Sequence, residues 1–247
     1  MADSRRTNVG REMVVIGGLA VVAVALILAL VMKSNDDDTA VAGPSAPVAQ
    51  MVEPSGSTPT GGTSGLSMER RVSGDPLALG DPAAPVVMVM FADYRCPFCA
   101  KFSRDTEPEM VKRFVDAGTL RIEWRDLPIF GDQSMQAARA GRAAAAQGKF
   151  WEFNRAVFAD APDRGHSNLT DDVLIGYARQ VGVPDLDRFA NQMRGTEFNA
   201  AINADVEQAS SIGVPSTPAF IINGVPMLGA QPLETFVAAV TEAADRA

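Results

Sequence analysis

Cysteine and histidine are nearly absent from this sequence of 247 residues. Its two cysteines, Cys96 and Cys99, lie three positions apart, and His166 is the one histidine. A framework of structural disulfides needs several cysteine pairs spread along the chain, so that class of small secreted domain is excluded. A structural zinc site needs four ligands, which this cysteine and histidine content does not supply, and we expect no metal or other cofactor.

Basic clusters are also missing. The chain has 22 Lys and Arg residues against 30 Asp and Glu, which gives a formal net charge of -8. A protein that binds nucleic acid neutralises phosphates with a basic face. The sequence therefore predicts no nucleic-acid partner.

Residues 13–32 form the one long apolar run, without a charged side chain. About 20 such residues in a helix match the thickness of a bilayer core. Arg5, Arg6 and Arg11 precede the run and Asp36–Asp38 follows it. The positive-inside rule then places residues 1–12 in the cytoplasm and the rest of the chain outside, with 13–32 as a transmembrane anchor.

The alternative interpretation of this run is a cleaved signal peptide. Such a peptide has a shorter apolar region, and a small-x-small cleavage site follows it. The sequence LALVMKSNDD at the end of the run is a poor match to such a site. Both interpretations export the remainder of the chain, so we expect a location at the cell membrane, facing away from the cytoplasm.

Residues 33–67 are dominated by Pro, Gly, Ser, Thr and Ala. A segment of this composition buries too little apolar surface to offset its ordering entropy, so it predicts a disordered linker. The folded domain is then expected over residues 68–247.

The first part of this domain predicts a strand, a helix and a second strand. Val86–Phe91 is a continuous apolar run, as in a strand covered on both faces. Cys96–Ala117 has helical character and should bend near Pro108, which lacks a backbone donor. Leu120–Arg125 alternates like a strand. Together they fit a right-handed parallel crossover.

An alanine-rich region with helical spacing follows, over about residues 130–212. Asp132, Thr170 and Thr196 are candidate caps or first-turn residues. No strand pattern interrupts the region, which predicts an all-helical subdomain. Its candidate helices are Asp132–Gln147, Lys149–Ala159, Thr170–Val181, Pro184–Met193 and Thr196–Ile212.

The last part of the domain predicts a hairpin and a helix. Asn223–Gly224 is a strong two-residue turn between the strands Ala219–Ile222 and Val225–Leu228. Pro226 suits only an edge strand, because it cannot donate to a ladder. An amphipathic helix at Pro232–Ala244 closes the chain, so the order is βαβ, a helical block, then ββα.

The tetrapeptide Cys96-Pro97-Phe98-Cys99 is the main candidate site. A thiol at a helix N-terminus lies near unsatisfied N–H groups, which favour the thiolate. Cys96 is therefore the expected nucleophile, and Cys99, one turn later, is placed to resolve a mixed disulfide. Pro97 fits the first helical turn. An inert disulfide would close too small a loop to stabilise the fold, whereas binding of copper(I) by two thiolates stays open.

Three stretches of the domain resemble the DsbA-like thioredoxin-fold family. They are DPLALGDPAAPVVMVMFADYRCPFCAKF, WRDLP and GVPSTPAFIINGVPMLGAQPLETF. The resemblance implies an α/β thioredoxin fold, βαβ plus ββα, with an inserted all-helical subdomain. It implies that Cys96 and Cys99 are the attacking and resolving cysteines, and that Thr217 and a cis-Pro218 face them across the active site, beside Pro97 and Phe98. By analogy, a quinone-linked membrane protein of the DsbB or VKOR kind would reoxidise the pair.

Two positions depart from that family. Met90 stands six residues before Cys96, where many relatives carry an acidic residue that accepts a proton. Proton transfer from Cys99 would then use water, Asp93, Asp126 or no particular group. Phe98 stands where the strongest oxidants have histidine, and it offers no charge or N–H to a thiolate, so we predict a less oxidising pair.

The sequence as a whole predicts a thiol–disulfide oxidoreductase, most simply a dithiol oxidase for exported proteins with cysteine thiols. A reductase or isomerase would use the same residues, and a copper- or peptide-binding module is the non-enzymatic alternative. His166, in a polar loop, is expected to be a surface residue without a catalytic role. Trp124 and Trp151 are expected in the core.

Overall fold

A computed structural model describes residues 67–247, and within this part the chain forms a mixed five-stranded sheet with helices on both faces. The strands are β1 (Ala78–Leu79), β2 (Val86–Ala92), β3 (Leu120–Asp126), β4 (Ala219–Ile222) and β5 (Val225–Leu228). The helices are α1 (Pro97–Asp105), α2 (Glu107–Met110), α3 (Asp132–Ala145), α4 (Phe150–Ala159), α5 (Asp171–Gln180), α6 (Leu186–Arg194), α7 (Asn199–Ser211) and α8 (Leu233–Asp245).

The predicted anchor at residues 13–32 and nearly all of the predicted linker lie outside the described residues. Between residues 67 and 247, no helix has the length and apolar character needed to cross a bilayer.

The sheet has the order β1-β3-β2-β4-β5. β2 and β3 run parallel, with Val86 opposite Leu120, whereas β4 lies antiparallel to β2 and β5 antiparallel to β4. This is the predicted βαβ plus ββα arrangement, and the α/β thioredoxin fold is confirmed. The short β1, which the sequence analysis missed, adds an antiparallel edge beside β3. Two residues are too few to produce a recognisable alternation.

Every residue of β2 is buried, because the central strand is covered on both faces. One face carries Met88 and Met90 into the large core, which also contains Phe102 and Trp124. The opposite face carries Val87, Val89 and Phe91 into a smaller cluster that includes residues of α7 and of the segment after β3. The active-site end of β2 is thus held rigidly from both sides.

The predicted long helix after β2 is divided. α1 ends at Asp105, α2 begins at Glu107, and a π-helical turn at Val111–Val115 follows. The break at Thr106 precedes Pro108 by two residues, as expected from a proline that lacks an N–H and crowds the preceding turn. The bend predicted near Pro108 is confirmed.

Helices α3 to α7 form the predicted all-helical insertion, and no strand interrupts it among the described residues. Asp132 lies in the first turn of α3, and Thr170 occupies the cap position of α5. The expectation that Thr196 begins the last of these helices is wrong. Thr196 accepts a hydrogen bond from Asn199 in a separate turn, and α7 starts only at Asn199.

The predicted hairpin between β4 and β5 is present. Asn223 and Gly224 both have positive φ, 43° and 83°, as a tight two-residue turn requires. The Asn223 side chain also accepts from the Val87 N–H and donates to the Pro85 carbonyl, which fixes the turn against the start of β2. Pro226 lies on the edge strand, as predicted.

Candidate active site

Cys96 caps the N-terminus of α1. Its backbone is extended (φ −78°, ψ 118°), Pro97 occupies the first helical position, and the Cys99 N–H donates to the Cys96 Sγ at 3.4 Å. The Cys96 N–H in turn donates to the Asp93 carbonyl at 3.1 Å, so a tight turn links β2 to the helix. The sulfur of Cys96 therefore takes the place that a Ser or Asp oxygen occupies in an ordinary helix cap.

Thr217 lies beside Cys96 in the fold, although it is distant in sequence. The Thr217–Pro218 peptide is cis, as predicted, and both residues are buried just before β4. The Cys96 thiol donates to the Thr217 carbonyl oxygen at 3.2 Å, although the two residues are 121 positions apart in sequence. The central pairing of β2 with β4 is what brings the two segments together.

The two cysteines are free thiols with opposite electrostatic environments. A hydrogen bond from Cys99, then interactions with Thr217 and with backbone N–H groups, lower the pKa of Cys96 from 9.0 to about 6 against the opposing effect of burial. Burial, followed by the neighbouring Cys96 sulfur, raises the pKa of Cys99 well above its ordinary value. These shifts favour the thiolate at Cys96 and the protonated thiol at Cys99, which makes Cys96 the more nucleophilic sulfur.

An open groove of about 530 Å³ runs beside Cys96. It brings together four of the predicted site residues, Cys96, Pro97, Phe98 and Thr217, while Cys99 and Pro218 are buried behind it. The Phe98 ring is 60% exposed at the rim and offers apolar surface to a bound molecule.

Five groove residues were not predicted from the sequence: Phe130, His166, Ser216, Gly229 and Ala230. Phe130 follows β3 and Cys96 follows β2. Because these parallel strands end at the same edge of the sheet, the sequence could have predicted that Phe130 lies near Cys96. His166 is exposed, as expected for a surface residue, but it lies at the groove rather than away from it. Its location depends on how a loop of the helical insertion packs, which no local pattern reports.

Asp93 and Asp126, the two proposed substitutes for the missing acid at Met90, are both buried and engaged. Asp93 accepts from the N–H groups of Arg95, Ile129 and Phe130, and its burial raises its pKa.

Asp126 accepts from the Trp124 indole at 2.8 Å and from Arg142 at 2.6 Å. Both carboxylates hold the surrounding loops and helices in place. Trp124 and Trp151 are buried, as predicted.

Metal-binding side chains are scarce around the groove. Across the described part of the chain, no three His, Cys, Asp or Glu residues are grouped so as to hold a metal ion.

Comparison with known proteins agrees with this geometry. The family model described as thioredoxin matches residues 72–242. Disulfide bond formation protein D of Bacillus subtilis is 26% identical over 164 residues, which cover 66% of this chain and 73% of that protein. The crystal structure of oxidised BdbD from Bacillus subtilis superposes with a TM-score of 0.65 at 23% identity, covering 70% of this chain and 94% of that one.

A second kind of relative is much longer. Na(+)/H(+) antiporter NhaA 1 of Salinispora arenicola is 34% identical over 166 residues, which cover 66% of this chain. The chain spans about a quarter (24%) of the length of that antiporter.

Proposed function

The chain belongs to the thioredoxin family, with DsbA-like oxidoreductases as structural neighbours, and on that premise we propose that it is a dithiol oxidase that introduces disulfides into exported proteins. A substrate thiolate attacks the Cys96 sulfur of the Cys96–Cys99 disulfide, and Cys99 leaves. A second substrate thiolate then attacks the substrate sulfur of the mixed disulfide and releases Cys96. The substrate loses two electrons and the cysteine pair gains them.

The observation that carries this proposal is the position of Cys96 at the start of α1, where hydrogen bonds from Cys99 to its sulfur lower its pKa to about 6. Reduction of the disulfide yields Cys96 as a thiolate, and every interaction that stabilises this thiolate favours the reduced protein. A pair that favours its reduced form takes electrons from substrates, whereas a reductase must favour its disulfide. The same interactions make Cys96 a good leaving group when the second substrate thiolate attacks.

The shape and lining of the groove favour a protein substrate over a small thiol alone. It is open along one side, and the exposed ring of Phe98 lies beside the reactive sulfur. An extended segment that carries a cysteine fits such a surface, because apolar contacts bind it without restricting its sequence strongly.

The proposed location, at the cell membrane with the domain facing away from the cytoplasm, is supported by the sequence of residues 13–32 and by the arginines before it. A membrane-impermeant maleimide applied to intact cells would label the reduced cysteines if the domain faces outward. Labelling that occurs only after lysis would contradict this orientation.

Turnover requires that the reduced pair be reoxidised, and we propose a quinone-linked membrane protein of the DsbB or VKOR kind as the electron acceptor. Its absence in a deletion strain should leave Cys96 and Cys99 reduced in cells, as measured by alkylation and gel shift.

The experiment that tests the function is the equilibrium of the purified protein with glutathione redox buffers. An oxidase gives a reduction potential well above the glutathione poise, roughly −180 mV or higher, whereas a potential near that of thioredoxin, roughly −270 mV, would make the protein a reductase. Cys96→Ser should abolish exchange. Cys99→Ser cannot form the disulfide, and when its Cys96 attacks a substrate disulfide the mixed disulfide should persist, because no Cys99 thiol can release it.

A further inference from the structure

The loop between α4 and α5 carries the chain's one histidine to the groove. His166 lines the same groove as Cys96, Phe98 and Thr217, although it lies 70 residues further along the chain than Cys96. The reaction described above assigns it no role.

Three contacts hold the His166 side chain and its loop against the active site. The ring packs on Phe130, with centroids 4.2 Å apart and planes inclined by 33°. Its Nδ1 lies 3.1 Å from the carbonyl oxygen of Arg95, the residue before Cys96. The Arg95 guanidinium donates to the Ser167 carbonyl of the histidine loop at 2.9 Å and to the Phe130 carbonyl of the loop after β3. The histidine loop, the loop after β3 and the start of the Cys96 turn are thereby joined.

The contact with Arg95 fixes the tautomer of neutral His166. A carbonyl oxygen only accepts hydrogen bonds, so Nδ1 must carry the proton that is donated to it. The other ring nitrogen, Nε2, is then unprotonated and presents a lone pair. Neutral His166 is therefore a proton acceptor at the groove.

The reaction needs an acceptor there. A cysteine thiol has an ordinary pKa of about 8.5, so only a few per cent of an incoming substrate is thiolate at neutral pH. Asp93 and Asp126 are buried and already accept hydrogen bonds from neighbouring groups.

We propose that Nε2 of His166 accepts the proton of the substrate thiol as that thiol attacks the Cys96 sulfur. This rests on the proposed thiol–disulfide exchange. The substrate S–H bond breaks, its proton goes to Nε2, and the electron pair on sulfur forms the bond to Cys96. The Cys96–Cys99 bond breaks, and Cys99 departs with the electron pair and is reprotonated from solvent.

Several charged or titratable groups surround His166. Arg95 lies on the turn beside it, Asp93 lies behind the Phe130 loop, and Cys96 shares the groove. Asp163 and Arg164 belong to its own loop, and Asp163 pairs with Arg104 of α1 at 2.9 Å. A pH profile must therefore be interpreted with a variant that removes the imidazole alone.

His166→Asn is that variant. The Asn side-chain amide can replace Nδ1–H as donor to the Arg95 carbonyl, but it cannot take up a proton. The rate of reduction of the oxidised protein by glutathione, an alkyl thiol, should fall on the order of tenfold near pH 7, because the small fraction of glutathione that is already thiolate still reacts. It should approach the wild-type rate at a pH above the pKa of glutathione. With 4-nitrothiophenol, which is already ionised at neutral pH, variant and wild type should react at equal rates.

Equal losses with both thiols would overturn the proposal, because they would indicate a positional role. An unchanged rate with glutathione at neutral pH would also overturn it. The glutathione equilibrium constant of wild type, measured in parallel, tests the oxidase function separately. A reductase-like constant would contradict that function, while the rates of the two thiols would still decide the role of His166.

Discussion

The backbone nitrogen of Cys99 lies 3.4 Å from the sulfur of Cys96 and donates its hydrogen to it. The same helical turn places the Cys99 thiol where it also donates to Cys96, which lowers the pKa of Cys96 and raises that of Cys99. One sulfur is exposed to donors and to the groove, and the other is enclosed. The geometry of the helix thus gives the two sulfurs different environments.

The first prediction concerns the titration of the reduced protein. Absorbance of the thiolate near 240 nm should report one ionisation with a pKa of about 6, assigned to Cys96. In Cys99→Ala the largest cause of the lowered pKa is gone, so the midpoint should move upwards. A wild-type midpoint close to 9 would contradict the thiolate-stabilising geometry.

The second prediction is a pH dependence of stability. The folded-state pKa of Cys96 is depressed from 9.0 to about 6, so its stabilisation of the reduced protein is complete above pH 9 and disappears as the pH falls through about 6. A shift of this size corresponds to roughly 4 kcal/mol of unfolding free energy at most. Urea unfolding of the reduced protein between pH 5 and 9 measures it.

Reduced Cys96→Ala is the control for that dependence, because it lacks the titrating group. The difference between the reduced wild type and this variant should grow with pH. A difference that stays constant, or that grows towards low pH, would contradict the sign of the effect.

The third prediction concerns the Thr217 hydroxyl. This oxygen is buried and has no hydrogen-bond partner among the described residues in the dithiol form, yet the side chain contributes to the lowered pKa of Cys96. We therefore expect it to donate to the Cys96 thiolate. A hydrogen bond to a charged group contributes about 1.5–3 kcal/mol, so Thr217→Val should make the pair less oxidising by about tenfold or more in the glutathione equilibrium constant.

Thr217→Ser keeps the hydroxyl and should preserve the equilibrium constant. The unfolding free energy of oxidised Thr217→Val should change little, because the disulfide form has no thiolate and a hydroxyl without a partner is replaced by a methyl group of similar size. If the two variants have the same equilibrium constant, the hydroxyl does not interact with the thiolate.

The parts of this site that the sequence predicted are those with local causes. A buried strand, a proline in the first turn and two cysteines one turn apart were sufficient to place Cys96 at the start of a helix. The opposition of Thr217 to Cys96 came from the family resemblance, since no local pattern joins residues 121 positions apart. Neither the local sequence patterns nor the family resemblance predicted that His166 lies at the groove, because its position depends on contacts between its loop, Phe130 and Arg95.

The last prediction concerns two helical glycines of the insertion, which should respond oppositely to alanine. A Cβ at Gly141 in α3 would lie 2.4 Å from the Tyr94 hydroxyl oxygen and 3.0 Å from its ring, whereas a Cβ at Gly176 in α5 would meet nothing within 4 Å. Tyr94 is buried two residues before Cys96 and packs against Phe158, with ring centroids 5.5 Å apart, so it has little room to move.

Gly176→Ala should raise the unfolding free energy by roughly 0.5–1 kcal/mol through helix propensity. Gly141→Ala should lower it by about 1–3 kcal/mol, because the strain of overpacking exceeds the same propensity gain. The displaced Tyr94 should also disturb the turn that leads to Cys96, so the exchange rate with glutathione should fall in Gly141→Ala and stay unchanged in Gly176→Ala. Urea denaturation and exchange kinetics of both variants measure these effects. Equal stabilisation by the two substitutions would show that α3 can move away from Tyr94, and that the insertion does not rigidly support the active-site turn.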